Sequence, residues 1–245
     1  MKEISLVDPP TSGFPFELPT VRALKEGLAL HPKVTFLVGE NGTGKSTLME
    51  GLADKWGFDL QSGNRSQSLA FRNYQTELGP FLRLSRLVEA RPLDGFFLRA
   101  ESFFNFATEM DELESDLSTA NGYFKFGGKS LHERSHGESF FSLFNDRFGE
   151  HGFYLLDEPE AALSPARQLA LLVRLHDLVE GHCQFVIATH SPIIMAYPEA
   201  WIYELDESGI RRIEFGETEH VRITRRFLND REGMLGRLLE EGNGA

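Results

Sequence analysis

One stretch of the chain has the residue types and the spacing of a phosphate-binding loop. Residues 39–46, GENGTGKS, fit the pattern G-x-x-x-x-G-K-[ST]. In this pattern the glycines let backbone N–H groups curl around phosphate oxygens, while the lysine reaches the outer phosphates and the serine holds Mg²⁺. The loop follows an apolar run at 33–39 and opens a helical segment at 48–56, as this chemistry requires. The predicted nucleotide-binding residues are Gly39, Glu40, Asn41, Gly42, Thr43, Gly44, Lys45, Ser46 and Thr47.

Further chemically capable residues follow two other apolar runs. Asp157 and Glu158 end the run GFYLLDE, and His190 follows the run CQFVIAT. The carboxyl ends of parallel strands meet at one edge of a sheet, which is where ligands bind in open α/β proteins. Beside a phosphate loop, Asp157 is expected to organise Mg²⁺, and Glu158 is expected to orient and deprotonate an attacking water.

The stretch LHERSHGESF, residues 131–140, fits two incompatible sites. Its H-E-x-x-H pattern at 132–136 is typical of zinc metalloproteases, which need both histidines on one face of a continuous helix. Ser135 and Glu138, however, form a capping box that starts a helix at Ser135. A helix starting there removes the i, i+4 relation of the histidines, so we expect no zinc. The Ser135 hydroxyl and the Gly137 N–H would instead meet a phosphate at the helix start.

Composition excludes several classes of protein. The 245-residue chain has a formal net charge of −12, which argues against a sequence-independent grip on nucleic acid but not against a local basic patch. A single cysteine, Cys183, excludes an intramolecular disulfide and favours a reducing, cytoplasmic location. No window approaches 18 uninterrupted apolar residues, so we expect no membrane span.

Strands that alternate with helices are needed to bring these residues together. Apolar runs at 33–39, 96–99, 152–158 and 183–191 predict strands, and the alternation predicts an α/β fold with a mainly parallel sheet. A late hairpin is predicted over 201–215.

Helices are predicted from capping residues and apolar periodicity. The segment 164–180 has Ser164 at its N-cap and Pro165 at its first position. The segment 217–241 is also expected to be helical. The residues expected to face the core are Leu169, Leu172, Leu175 and Val179 of the first helix, with Phe141, Phe144 and Phe148 of an earlier one.

The order of these motifs resembles that of ABC-type ATPases. The phosphate loop is followed by a signature-like SHGES at 135–139, by Asp157-Glu158, by AALS at 161–164 and by His190, so the resemblance covers nearly the whole chain. The DEPE and H-G-E forms are more similar to the recombination and chromosome-maintenance (RecF/SMC-like) branch than to transporter subunits. The chain also resembles a group of small stand-alone bacterial predicted ATPases.

The resemblance implies one P-loop NTPase domain of ABC-ATPase type over residues 1–245. It implies an antiparallel β portion and a small helical subdomain at about 103–150, which carries the signature. Its implied activity is Mg²⁺-dependent ATP hydrolysis by a homodimer that sandwiches two ATP molecules.

The same resemblance implies a role for each matched residue. Lys45 would bind phosphate, Glu158 would be the general base and His190 the phosphate switch. Glu101 lies near the place of the usual glutamine beside Mg²⁺, directly after the strand that contains Arg99, and would join Ser46 and Asp157 as a metal residue. The residues implied to act across the dimer are Ser135, His136, Gly137 and Glu138 on the partner's ATP, and Ala162, Leu163 and Ser164 at the interface.

Three functions remain open from the sequence. The first is a hydrolysing, dimerising ATPase, which the intact Glu158 favours. The second is an ATP-gated clamp with slow turnover that acts on DNA or a protein partner, as in DNA repair, recombination or defence. The third is the ATP-binding subunit of a transporter. Phe14 and Phe16 are candidates to stack on adenine, and the arginines within 225–237 favour a solvated helix face over a DNA contact.

Overall fold

The computed structural model describes residues 1–60, 63, 75–86, 92–100, 141, 144–145 and 147–241, with side chains up to residue 239. Glu101 and the signature residues Ser135, His136, Gly137 and Glu138 lie outside the described residues, as do the H-E-x-x-H pattern and nearly all of the helical subdomain at 103–150. What the sequence predicts for them stays a prediction.

The described residues form nine strands and six α-helices. The strands are β1 (Glu3–Leu6), β2 (Leu28–Ala29), β3 (Val34–Val38), β4 (Leu82–Ser85), β5 (Asp94–Arg99), β6 (Gly152–Asp157), β7 (Gln184–Ala188), β8 (Trp201–Asp206) and β9 (Gly209–Ile213). The helices are α1 (Pro19–Ala23), α2 (Lys45–Trp56), α3 (Pro165–Glu180), α4 (Pro192–Met195), α5 (Glu219–Asn229) and α6 (Arg231–Glu241).

A six-stranded sheet with the order β5-β6-β7-β3-β8-β9 lies at the centre of the described part. Its first five strands pair in parallel, and β9 pairs with β8 in the antiparallel direction. The predicted α/β fold with a mainly parallel sheet is therefore confirmed. The strands β3, β6 and β7 are buried along their whole length, which explains why continuous apolar runs revealed them.

Two apolar cores lie on opposite faces of this sheet. Successive side chains of a strand point to opposite faces, so Phe36 contributes to the core that contains α3, and Leu37 contributes to the core that contains α2. In β7, Ile187 contributes to the core that contains α3, and Val186 contributes to the core that contains α2. The sheet thus holds α2, which follows the phosphate loop, on one side and α3 on the other.

A small antiparallel sheet with the order β2-β1-β4 adds to the α2 side. Ile4 and Leu82 from this sheet share a core with Leu48 and Leu52 of α2. It matches the antiparallel portion that the family resemblance implied. Periodicity did not predict its strands because each has four residues or fewer, too short for a pattern to emerge.

The predicted buried stripe of α3 is confirmed at Leu175 and Val179, which are buried, and at Leu172, which packs against the core, but it is wrong at Leu169. Leu169 is 57% exposed, and the buried apolar residues are Leu171, Leu175, Leu178 and Val179. Leu169 and Leu171 are equally apolar, so the sequence does not decide between them and the packing against the sheet selects Leu171. Helix α3 begins at Pro165 as predicted, with Ser164 at the N-cap but without a side-chain capping bond.

The remaining described elements agree with their predictions. A hairpin joins β8 to β9 through Glu207 and Ser208, and the chain closes with α5 and α6. Phe144 and Phe148 are fully buried in the α3-side core, and Phe141 packs against it. In the described part of the chain, no helix combines the length and the apolar character that a membrane crossing requires.

Candidate functional site

The phosphate loop, residues 39–47, joins β3 to α2 at the carboxyl edge of the central sheet. Gly39 has φ of 145°, and a Cβ there would lie 2.2 Å from the carbonyl oxygen of Leu205 in β8. Gly44, at the start of α2, has φ of 95°, and a Cβ there would lie 2.6 Å from the hydroxyl of Thr20. The Thr20 hydroxyl donates to Thr43 O at 2.8 Å. The glycines are therefore required by close neighbours as well as by backbone conformation.

The Lys45 side chain lies within the curve of the phosphate loop. Its Nζ donates to the carbonyl oxygens of Gly39 and Glu40, at 2.8 Å in each case. Burial lowers the pKa of Lys45, and the carboxylates of Glu158 and Asp157 oppose that effect. The ammonium group is thus held beside the loop in a position that is poor in water.

Ser46 and Asp157 meet beneath the loop. The Ser46 hydroxyl lies 3.5 Å from Asp157 Oδ1, and Asp157 is 1% exposed at the end of β6. Burial raises the pKa of Asp157 to about 6, although Arg99 and the Ser46 hydroxyl act in the opposite direction. The carboxylate is therefore short of the positive charge that would balance its ionised form.

Arg99 approaches the same carboxylate from the neighbouring strand. It pairs in register with Asp157 across β5 and β6, with its Nε 3.5 Å from Asp157 Oδ2 and its Nη1 2.5 Å from Glu50 Oε1. Sequence reasoning noted Arg99 only as a neighbour of Glu101 and gave it no partner.

Glu158 and His190 stand side by side at the strand ends. Glu158 has a left-handed backbone with φ of 52°, and its N–H donates to Ala188 O at 2.9 Å. His190 Nε2 lies 3.5 Å from Glu158 Oε1. That nitrogen is buried and makes no hydrogen bond among the described residues, because 3.5 Å is too long for a good one. The structure thus aims an unsatisfied ring nitrogen at the Glu158 carboxylate.

Glu160 fixes the backbone that carries His190. Its carboxylate accepts hydrogen bonds from the Thr189 hydroxyl at 2.8 Å and from the His190 N–H at 2.5 Å. Burial raises the pKa of Glu160, and these hydrogen bonds oppose the increase. Sequence reasoning missed this role, although a third acidic residue in DEPE was the available signal.

The segment 161–164 is connected to the turn after His190. Gln168 donates to Leu163 O at 3.1 Å and accepts from the Ser191 hydroxyl at 2.6 Å. Leu163 is buried in the core, Ala162 is partly buried and Ser164 is exposed. Among these three, Ser164 is the most accessible to another molecule.

A second histidine reaches His190 from the end of the chain. His220 Nε2, on α5, lies 2.9 Å from His190 Nδ1. No sequence pattern linked the two residues, because the contact depends on how α5 packs against the sheet edge.

A cavity of about 300 Å³ lies against the phosphate loop. Its lining residues are Phe14, Leu18, Asn41, Gly42, Gly44, Lys45, Ser46, Thr47 and Glu158. Phe14 is 67% exposed and also lines an adjoining cavity with Glu50 and Arg99, so it remains a candidate to stack on a base. Phe16 is buried in an edge-on contact with Phe81, 5.1 Å between ring centroids, and belongs to the core.

The fold of this chain is similar to that of a solved ABC transporter. The protein described as "a putative metal-chelate type ABC transporter" in an inward-facing conformation superposes with a TM-score of 0.50 and 17% identity, over 91% of this chain and 88% of that chain. The chain has the fold of an ABC-type ATPase. At this level of identity the likeness concerns the ABC-type fold alone.

Two further solved structures superpose with lower TM-scores, and one family model matches part of the chain. The SMC head domain from Thermotoga maritima has a TM-score of 0.44 and 18% identity, over 87% of this chain and 98% of that one. CbiO1 from Clostridium perfringens, part of an ABC transporter complex, has a TM-score of 0.45 and 19% identity, over 87% and 90%. A family model described as "AAA domain, putative AbiEii toxin, Type IV TA system" matches residues 130–196. No curated protein is detectably similar to this chain in sequence.

Proposed function

We propose that this chain is a Mg²⁺-dependent ATPase that dimerises around two ATP molecules, with the signature residues of each subunit acting on the ATP of the other. The observation that carries the proposal is the convergence, at one sheet edge, of the phosphate loop with Lys45, the pair Ser46 and Asp157, and the pair Glu158 and His190. Each pair comes from segments far apart in the chain, so chance proximity in sequence does not account for it.

The phosphate loop supplies the binding chemistry for a triphosphate. Lys45 holds its ammonium group against two carbonyl oxygens, and a phosphate would offer it a charged acceptor in the same region. The N-terminus of α2 adds the positive end of a 12-residue helix. Phe14, on the rim of the loop cavity, is the proposed contact for the base.

Ser46 and Asp157 fit Mg²⁺. This ion prefers hard oxygen ligands, and a hydroxyl and a carboxylate already converge here. The raised pKa of Asp157 supports the fit, because a cation would supply the balancing charge. When bound, Mg²⁺ would neutralise charge that develops on the phosphates.

Glu158 and His190 supply the hydrolytic groups. In the proposed reaction, Glu158 takes a proton from water as the water oxygen bonds to the γ-phosphorus. The bond from that phosphorus to the bridging oxygen breaks, which leaves ADP and phosphate. His190 Nε2–H would donate to a γ-phosphate oxygen, a role that suits its unsatisfied position.

Hydrolysis is tested by measuring phosphate release from Mg-ATP. We expect Glu158→Gln to lower kcat by about 10²–10⁴-fold, since it removes the base and keeps the shape. The matched control is Glu150→Gln, an exposed glutamate, which should match the wild type. Equal rates for Glu158→Gln and the wild type would refute the assigned role of Glu158.

An ATP-gated clamp with slow turnover is the second candidate. The observation that favours it is the contact of Arg99 Nε with Asp157 Oδ2 at 3.5 Å, since this guanidinium would compete with a metal ion for the carboxylate. The same assay separates the two: a clamp would give a kcat of about 10⁻² s⁻¹ or less, below the range of typical enzymes.

A further inference from the structure

His190 is held between two side chains, one on each of its ring nitrogens. Nε2 faces Glu158 at 3.5 Å, and Nδ1 faces His220 Nε2 at 2.9 Å. The two imidazole rings meet at an angle of 60°, with centroids 5.0 Å apart. The separation of 2.9 Å is that of a good N–H···N hydrogen bond, so a proton lies between the rings.

Burial favours the neutral form of both rings. Burial is the main cause that lowers the pKa of His190 and of His220, and the positive charge of Lys45 lowers both further. Glu158 opposes the effect at His190. The acidic residues that oppose it at His220 are Glu219, Glu204 and Glu40. Two neutral imidazoles share one N–H at their contact, so one ring donates and the other accepts.

The direction of that hydrogen bond decides what His190 can do. If His190 donates through Nδ1, its Nε2 carries a lone pair and faces the Glu158 carboxylate with no proton to offer. If His220 donates through Nε2, His190 carries its proton on Nε2, where it can donate to a carboxylate or to a phosphate oxygen. Only the second arrangement avoids placing two acceptors against each other.

We propose that His220 is a positioning residue that donates its Nε2–H to His190 Nδ1 and so holds His190 in the Nε2–H tautomer. The catalytic consequence rests on the proposed function, because it assigns that Nε2–H to the γ-phosphate. His220 would act through His190 and would not itself contact the nucleotide.

The flanking residues make His220 a rigid donor. Thr218 is fully buried and its hydroxyl donates to Phe215 O at 2.9 Å, immediately before α5 begins at Glu219. Val221 is buried on the other side of His220. The backbone around His220 is therefore anchored in the core, while most of α5 beyond it is exposed.

Two substitutions at His220 distinguish the role of its N–H donor from the role of its aromatic ring. His220→Phe keeps an aromatic ring and removes the donor, and His220→Gln keeps an N–H donor at the end of a similarly long side chain. Thr224→Ala, at an exposed position of the same helix, is the matched control. We expect His220→Phe to lower kcat by about 10–100-fold with the KM for Mg-ATP unchanged within about twofold, and His220→Gln to recover most of the loss.

The tautomer is read directly from two-bond ¹⁵N–¹H correlations of the nucleotide-free protein, with His190 assigned by its loss in His190→Ala. We expect the Nε2–H form of His190 in the wild type and in His220→Gln, and a mixture with the Nδ1–H form in His220→Phe. A wild-type His190 protonated on Nδ1, or an unchanged tautomer and kcat in His220→Phe, would overturn the proposal. A wild type that hydrolyses no ATP would defeat the proposed function, while the spectra still decide the role of His220.

Discussion

Buried charge at the strand ends dominates the site at the scale of single residues. Asp157 is almost completely buried, and its partners Arg99 and Ser46 do not compensate for the lost hydration. We expect this buried carboxylate to lower the stability of the ligand-free protein. Selection for function would nevertheless retain it.

Replacing Asp157 should therefore stabilise the nucleotide-free protein. Its folded pKa is raised from 3.8 to about 6, so the contribution of this group to stability is complete below pH 4 and is lost as the pH rises through 6. We expect Asp157→Asn to raise the free energy of unfolding by about 2–3 kcal/mol at pH 8, with a smaller gain at pH 5. Urea unfolding at both pH values measures the difference, and an Asn variant less stable than the wild type at pH 8 would show that the Arg99 pair outweighs burial.

Individual residues also show what the sequence can predict of the site. The predicted position of Lys45, Asp157 and His190 at the sheet edge agrees with the structure, because apolar runs revealed the buried strands β3, β6 and β7. Glu160 and His220 were missed because their partners lie about 30 residues away and only the packed fold brings them together.

For the helices, capping residues and apolar periodicity differed in what they predicted. Ser164 and Pro165 predicted where α3 begins, since proline acts through local backbone conformation, whereas α2 begins at Lys45, before its predicted start at residue 48. Apolar periodicity predicted the buried side of α3 at Leu175 and Val179 but not in its first turns, where Leu169 and Leu171 are equally apolar and only the packing on the sheet distinguishes them.

A pair of truncations tests the observed rotation of α3. Leu171 is 1% exposed, so Leu171→Ala should cost about 2–5 kcal/mol of unfolding free energy, whereas Leu169→Ala should cost less than about 0.5 kcal/mol. Chemical denaturation of both variants provides the comparison. Similar losses for the two would contradict the observed difference in their burial, and a larger loss for Leu169→Ala would favour the burial of Leu169 predicted from the sequence.

The molecule as a whole is acidic, yet the positive groups that we propose to bind the triphosphate lie at one edge of its central sheet. The net charge of −12 makes local positive potential from Lys45 and the α2 N-terminus all the more important for attracting a triphosphate. The family resemblance supplied the fold and its antiparallel portion, but strand order and the coupling of His190 to α5 needed the three-dimensional structure.

Light scattering on Glu158→Gln, with and without Mg-ATP, measures whether ATP joins two copies of this chain. Because this variant should bind ATP without hydrolysing it, we expect a dimer mass with Mg-ATP and a monomer mass without it. The double variant Lys45→Ala/Glu158→Gln, which loses the phosphate contact, should remain a monomer in both conditions. A Glu158→Gln protein that binds Mg-ATP and yet stays monomeric would show that ATP does not join two copies of this chain.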